Sequence, residues 1–327
     1  MNANRFYYID CLKGFLVSLV IFFHVFILIP NELKNSISLY KLLSDFMDIF
    51  LLYRMPILFL VCGFFCRVFE NNFIIFFSKK IKKIIYPYFI WSFIYTLFFS
   101  FLGFAGYKFI EIKFNLIKLI FGQMEVTWFL YFLFIFSILV GFLKNINIKI
   151  LFLFFLLINY LLNNVFILPF YNSLYWGDIS FYLLFFLSGF LFFKYFNRIE
   201  ENIFLFKFKF LSFCFFIIVI LIRLNSNFFK TDLIYFFCVI FSLPFLVNFV
   251  MYLDRKSFRF FSRIGKNSII YYLTHSLFIV LFFNFFKINN FNCLFMLIFG
   301  FLGPYLIYLF CNKYKSIGFV LFKYYIK

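Results

Sequence analysis

Residues able to do acid–base chemistry are few in this chain, and the first of them fall together. Arg5, Asp10, Lys13 and His24 stand in or beside one apolar run. On an α-helix, Lys13 and His24 are eleven positions apart, about 20° after whole turns and about 16 Å along the axis. Asp10 and His24 differ by fourteen positions, about 40°. One stripe then carries a carboxylate and an ammonium at one end and an imidazole deeper in. An imidazole titrates near pH 6.5 and suits proton transfer. Plainer roles compete: a buried ring bonded to a neighbouring helix for His24, a charged anchor for Lys13, a helix cap for Asp10.

Four further segments hold polar groups beside apolar runs. Lys79, Lys80, Lys82 and Lys83 precede Pro87. Lysine holds phosphates as a point charge, and helical spacing pairs Lys79 with Lys82 and Lys80 with Lys83. The plainer role is a topology anchor. Arg54 and Pro56 near the start of a run predict a local break in the helix, and Gly63 allows close helix approach. Glu125 and Trp128 open another run, where Trp128 suits a membrane interface. His275 sits in Tyr271-Tyr272-Leu273-Thr274-His275-Ser276, where it can act as a structural bond between helices. The cysteines are Cys11, Cys62, Cys66, Cys214, Cys238, Cys293 and Cys311. They show no disulfide framework spacing and read as small apolar core residues. Cys62 and Cys66 share a helix face without further ligands nearby, so no metal site is expected.

The elements that position these groups follow from composition. The chain has 327 residues, 66% hydrophobic and 13% charged, with a mean hydropathy of +1.03. A water-facing fold needs more polar surface than this. Lipid must be the solvent. A spanning helix needs about 20 mostly apolar residues. Ten such runs are present, near 11–30, 49–69, 84–102, 127–143, 149–168, 179–196, 208–224, 232–252, 268–286 and 291–311. The expected fold is therefore an all-α, polytopic transmembrane helix bundle of about ten spans, a single domain over 1–327. The formal charge is +19, from 31 Lys and Arg against 12 Asp and Glu. With both termini cytoplasmic, 22 of the 31 cations fall on the cytoplasmic side, which the positive-inside rule favours. The charge therefore orients helices, and no nucleic-acid partner is expected. The first run is long and lacks a small-residue cleavage site, so it reads as a span rather than a signal peptide.

Taken in order, these pieces form a pattern. Arg5-x4-Asp10-x2-Lys13-Gly14 leads to His24, then to Met55-Pro56 with Gly63, a basic cluster before Pro87, Trp128-Phe129-Leu130, and a late Tyr272-Leu273-x-His275. This order resembles acyltransferase family 3 of integral membrane proteins, closest to its sugar O-acetylase branch. The resemblance runs from Arg5 to His275. It implies transfer of an acetyl group from cytoplasmic acetyl-CoA to a hydroxyl of a cell-surface glycan or lipid-linked sugar. It implies residence in the bacterial cytoplasmic (inner) membrane, with no permanently bound cofactor. By the family pattern, His24 is the catalytic residue and Lys13 the basic residue before glycine. Asp10 and Arg5 support them in the first span. Lys79, Lys80, Lys82 and Lys83 would bind the acyl-CoA phosphates. Lys80 and Lys83 match the family's Arg-x-x-Arg pair best, yet Lys lacks the bidentate grip of Arg. Arg54, Glu125, Trp128 and His275 would be acceptor-side or structural. The competing reading is a transporter or flippase for a polysaccharide intermediate. Such proteins more often show two related halves or paired broken helices, and neither is visible.

Overall fold

Each of the ten apolar runs overlaps helical structure among the described residues. The structure, a computed structural model, describes residues 7–29, 38–66, 72–102, 119, 122, 126–143, 146–164, 179–196, 209–224, 233–286 and 290–322. Among these the regular structure is all helical: α1 (Tyr7–Ile27), α2 (Ser38–Phe64), α3 (Phe73–Lys80), a π-helical segment (Ile81–Ile85), α4 (Tyr86–Leu102) and α5 (Trp128–Phe142). Then come α6 (Ile148–Asn164), α7 (Ile179–Phe196), α8 (Lys209–Leu224), α9 (Leu233–Lys256), α10 (Phe260–Lys266), α11 (Ser268–Phe285), α12 (Asn290–Lys313) and α13 (Lys315–Phe322). Helices are the answer that lipid imposes, because each backbone N–H and C=O must be satisfied within its own segment. Among the described residues, four stretches are long and apolar enough to cross a membrane: α1, α9, α11 and Asn292–Lys313 of α12.

Two local expectations are corrected. Pro56 does not break its helix, since α2 continues from Ser38 to Phe64 with Pro56 inside. Pro244 and Pro304 are likewise accommodated within α9 and α12. Long apolar helices tolerate proline because neighbours and small local adjustments satisfy the freed backbone groups. Asp10 is not a cap either. The first helix starts at Tyr7, so Asp10 lies in its first turn, where a carboxylate is favoured by the helix dipole.

The chain forms two compact units that alternate along the sequence. The first comprises Met1–Leu19, Asp45–Arg67 and Leu143–Ser268; the second comprises Val20–Ser44, Val68–Phe142 and Ile269–Lys327. Within the first, α2 and α7 meet backbone to backbone. A Cβ on Gly63 would strike the Phe186 carbonyl, and one on Gly189 would strike the Leu60 carbonyl. Small residues permit such close approach where lipid offers no hydrophobic drive between helices. Buried hydroxyls and amides pair across helices, as Tyr53 with Ser242 at 2.9 Å and Asn159 with Ser180 at 2.9 Å. Within the second unit, the Tyr95 hydroxyl donates to the Leu273 carbonyl at 2.8 Å, tying α4 to α11. The Tyr272 hydroxyl donates to the Val126 carbonyl at 2.8 Å, and Ser92 pairs with Thr127 at 2.7 Å, fixing the start of α5. Tyr86 and Trp91 donate to the last carbonyls of α13, Val320 and Leu321, each at 3.0 Å.

Candidate functional site

Helix α1 carries the first group of candidate residues. In the first unit, Lys13 Nζ lies 3.0 Å from Asp10 Oδ1, an i,i+3 pair on one face, and 5.9 Å from the Phe65 ring centroid. The Asp10 carboxylate is buried and Lys13 half-buried. The opposite neighbour of this turn is α10. Gly14 and Gly265 face each other so closely that a Cβ on Gly14 would strike the Phe261 carbonyl, and a Cβ on Gly265 would strike the Asp10 carbonyl.

A fully buried carboxylate locks this crossing. Asp254, in the last turn of α9, accepts from the Tyr7 hydroxyl at 2.6 Å and the Cys11 thiol at 3.3 Å through Oδ2. Its Oδ1 accepts from the Ser262 N–H at 2.9 Å, inside the first turn of α10. One side chain thus joins α1, α9 and α10. Three donors on two carboxylate oxygens satisfy a group that would otherwise be costly to bury. Asp254 was not legible as special in the sequence, where Leu253-Asp254-Arg255-Lys256 reads as an ordinary charged helix end.

His24 lies in the second unit, near the C-terminal end of α1, and it does not stand alone. The ring of His275, in α11, lies with its centroid 5.0 Å away at an interplanar angle of 57°. These are the only two histidines in the chain. His275 is fully buried and His24 half-buried. His275 Nδ1 lies 3.0 Å from the Tyr271 carbonyl oxygen. A carbonyl only accepts, so Nδ1 carries the hydrogen, and Nε2 is the basic nitrogen of the neutral ring. The Tyr272 ring, 6.2 Å from His275, packs at 5.3 Å against Phe129 of α5. The Tyr95 and Tyr272 hydroxyl bonds anchor α11 at Leu273 and Tyr272, two and three residues before His275. The pair therefore offers a half-exposed imidazole backed by a second imidazole of fixed orientation, an arrangement able to receive a proton from a hydroxyl.

The lysine cluster adopts a form that the sequence did not signal. Ile81–Ile85 is π-helical, so Lys82 and Lys83 leave the regular α-phase that would pair them with Lys79 and Lys80. Lys79, Lys82 and Lys83 are exposed. Lys80 is half-buried, with Nζ 5.2 Å from the Phe76 ring centroid. Wide single turns of this kind recur at functional sites.

The remaining candidates are more scattered. Arg54 is half-buried within α2, beside the fully buried Tyr53. Trp128 is the first residue of α5 and is buried, packed at 6.0 Å against Phe132. Arg5 and Glu125 lie outside the described residues. Among the described residues there is no group of three or more His, Cys, Asp or Glu placed to hold a metal ion.

The span-length apolar helices make this a multi-pass membrane protein. A family model described as an acyltransferase domain matches residues 6–311, nearly the whole chain, and takes in Asp254, the lysine cluster and both histidines. The chain belongs to acyltransferase family 3 and is a membrane acyltransferase. Neither the curated proteins nor the solved structures contain a match to it.

Proposed function

We propose that this protein is a membrane O-acyltransferase that moves acetyl from cytoplasmic acetyl-CoA to a hydroxyl of a cell-surface glycan or lipid-linked sugar. The observation that carries the reading is the pairing of His24 with His275 inside a chain of acyltransferase family 3. The proposal takes all ten apolar helices as spans, in one domain over 1–327 with both termini cytoplasmic, in a bacterial inner membrane.

In this reading His24 is the general base. It takes the proton of the acceptor hydroxyl as the oxygen attacks the thioester carbonyl. The tetrahedral intermediate then collapses, the C–S bond breaks, and CoA leaves as its thiol, the sulfur taking from His24 the proton that the acceptor hydroxyl gave up. Base catalysis of this kind contributes about 10²–10⁴-fold. Lys79, Lys80, Lys82 and Lys83 meet the phosphates of the donor, as point charges rather than bidentate grips. Asp10 and Arg5 support Lys13 in the first span. Arg54, Glu125 and Trp128 serve the acceptor side, and His275 orients the His24 ring.

The test compares acetyl content of surface glycan in cells with the wild-type gene, without it, and with His24→Ala. The enzyme reading expects acetyl to vanish in the last two while polymer export continues and the variant accumulates in the membrane. Loss of the polymer itself selects a transporter. Full acetylation by His24→Ala removes His24 from the chemistry.

A further inference from the structure

Between α9 and α11, both long enough to cross a membrane, the chain turns through α10. This stretch carries Arg255, Lys256, Arg259, Arg263 and Lys266, all exposed. None of the five forms an ion pair among the described residues. The nearest acid in sequence, Asp254, cannot neutralise them, because its carboxylate is turned inward and taken up by Tyr7, Cys11 and Ser262.

The turn is also fixed in an uncommon shape. Phe258 and Arg259 both have positive φ, 52° and 61°. Two successive bulky residues in the left-handed region are strained, and such strain persists only where the surroundings impose it. Here the Arg259 N–H donates to the Asp254 carbonyl at 2.8 Å, the Phe260 N–H to the Ser257 carbonyl at 3.0 Å, and the Ser262 hydroxyl to the Arg259 carbonyl at 3.1 Å. The result is that Phe258 stands 87% exposed, more than any other large apolar side chain described, and exposed cations flank it in sequence on both sides. A plain topology anchor needs positive charge and no particular geometry. A strained turn that presents an aromatic ring among five cations has a more specific complement.

We infer that the 255–266 turn is a binding site for anionic phospholipid headgroups, with Phe258 set into the acyl boundary and the five cations on the surrounding phosphates. Interfacial aromatics and clustered Lys and Arg are the chemistry that anionic leaflets select. A soluble phosphate would use the cations and leave the exposed ring without purpose. Because Asp254 bonds this turn to Tyr7 and Cys11, headgroup binding also braces the first turns of α1.

The test uses the full-length protein in nanodiscs of phosphatidylcholine alone and of phosphatidylcholine mixed with phosphatidylglycerol. The mixed discs are expected to raise the unfolding midpoint of the wild type by about 2–4 °C. R255Q/K256Q/R259Q/R263Q/K266Q is expected to lose most of that shift and F258S part of it. An unchanged shift in the fivefold variant overturns the proposal. A shift produced by coenzyme A or inorganic phosphate in pure phosphatidylcholine, and abolished by the same five changes, overturns it in favour of a soluble phosphate site. Should the fivefold variant fail to accumulate, native mass spectrometry of the wild type in mixed micelles decides. Preferential retention of phosphatidylglycerol, reduced by F258S, supports the site; equal retention of both lipids refutes it.

Discussion

Around Asp254, each carboxylate oxygen has its donors, and the group is sealed from solvent. Around His24, one ring face meets another imidazole and the ring is only half covered. Both are polar groups set among apolar helices, where such groups are costly and tend to be kept for a purpose. The contrast separates two purposes. A saturated, buried carboxylate has no capacity left for a substrate and serves to hold helices. A half-exposed imidazole beside a second, buried imidazole stays within reach of a substrate, as a catalytic base must. Accumulation and rate should therefore respond oppositely to changes at the two places.

The largest expected effect is on rate, at His24. His24→Ala should lower acetyl transfer by about 10²–10⁴-fold while membrane levels stay near wild type. A variant that fails to accumulate would move His24 to the structural side of the contrast. Asp254 should behave in reverse. Asp254→Ala strands the Tyr7, Cys11 and Ser262 donors, at a cost on the order of 3 kcal/mol in stability. Asp254→Asn should cost less than Asp254→Ala, because its oxygen still accepts from the Ser262 N–H and its amide faces the Tyr7 hydroxyl, which can turn to accept. Thermal unfolding in detergent reads this directly. Transfer per folded molecule should change little, and a selective loss of rate in Asp254→Asn would draw Asp254 into the chemistry.

Much of the architecture was readable because lipid leaves few choices. A run of about 20 apolar residues must become a helix, and among the described residues every one of the ten runs is largely helical. What could not be read is which helices meet. Asp254 and Tyr7 are separated by 247 positions and His24 and His275 by 251, and nothing local marks either pairing. His275 reads from the sequence as an acceptor-side or structural residue, since nothing in its own apolar run points to a second histidine as its neighbour. The π-helical turn at Ile81–Ile85 was illegible for another reason: Ile-Lys-Lys-Ile-Ile carries no helix-breaking residue, so its wide turn comes from packing rather than propensity. Gly63 was legible as a close approach, whereas its partner Gly189 and the Gly14–Gly265 contact needed the fold.

That glycine contact gives a smaller test of the structural side. Alanine is favoured over glycine within a helix by about 1 kcal/mol. At Gly265, however, the added methyl would run into the Asp10 carbonyl, and backbone cannot yield as a flexible side chain does. Gly265→Ala should therefore destabilise by about 1–3 kcal/mol despite its better propensity. A rise in unfolding midpoint would show that α1 and α10 are not held this closely.

His275 sharpens the other side, because two isosteres divide its roles. Asn at this position can still donate to the Tyr271 carbonyl, as Nδ1 does, but has nothing where Nε2 lies. Gln reaches towards the Nε2 position and gives up the short tether. If His275 only packs, both variants should shift stability and leave the rate of folded protein alone. If it orients His24, His275→Asn should lower kcat by about tenfold with little change in KM for either substrate, since the loss falls on the transition state.

The smallest effect is expected at the lysines, and it falls on binding rather than turnover. Lys79, Lys82 and Lys83 are exposed, so under the proposed reading a phosphate contact at any of them would be made in water and be worth little singly. Lys80→Gln with Lys83→Gln should raise KM for acetyl-CoA by about threefold to tenfold and leave kcat unchanged, the signature of lost uniform binding. Added salt should narrow the gap between variant and wild type, because exposed charges are screened within about 10 Å at ordinary ionic strength. The π-helical turn adds a directional expectation. Lys79 and Lys80 precede it and Lys82 and Lys83 lie within it, so the two pairs are no longer set by α-helical spacing. A larger penalty for the pair Lys82→Gln and Lys83→Gln than for Lys79→Gln and Lys80→Gln would place the phosphates at the wide turn. Equal penalties would mean that the cluster acts as a diffuse field, and the turn would then have no part in holding the donor.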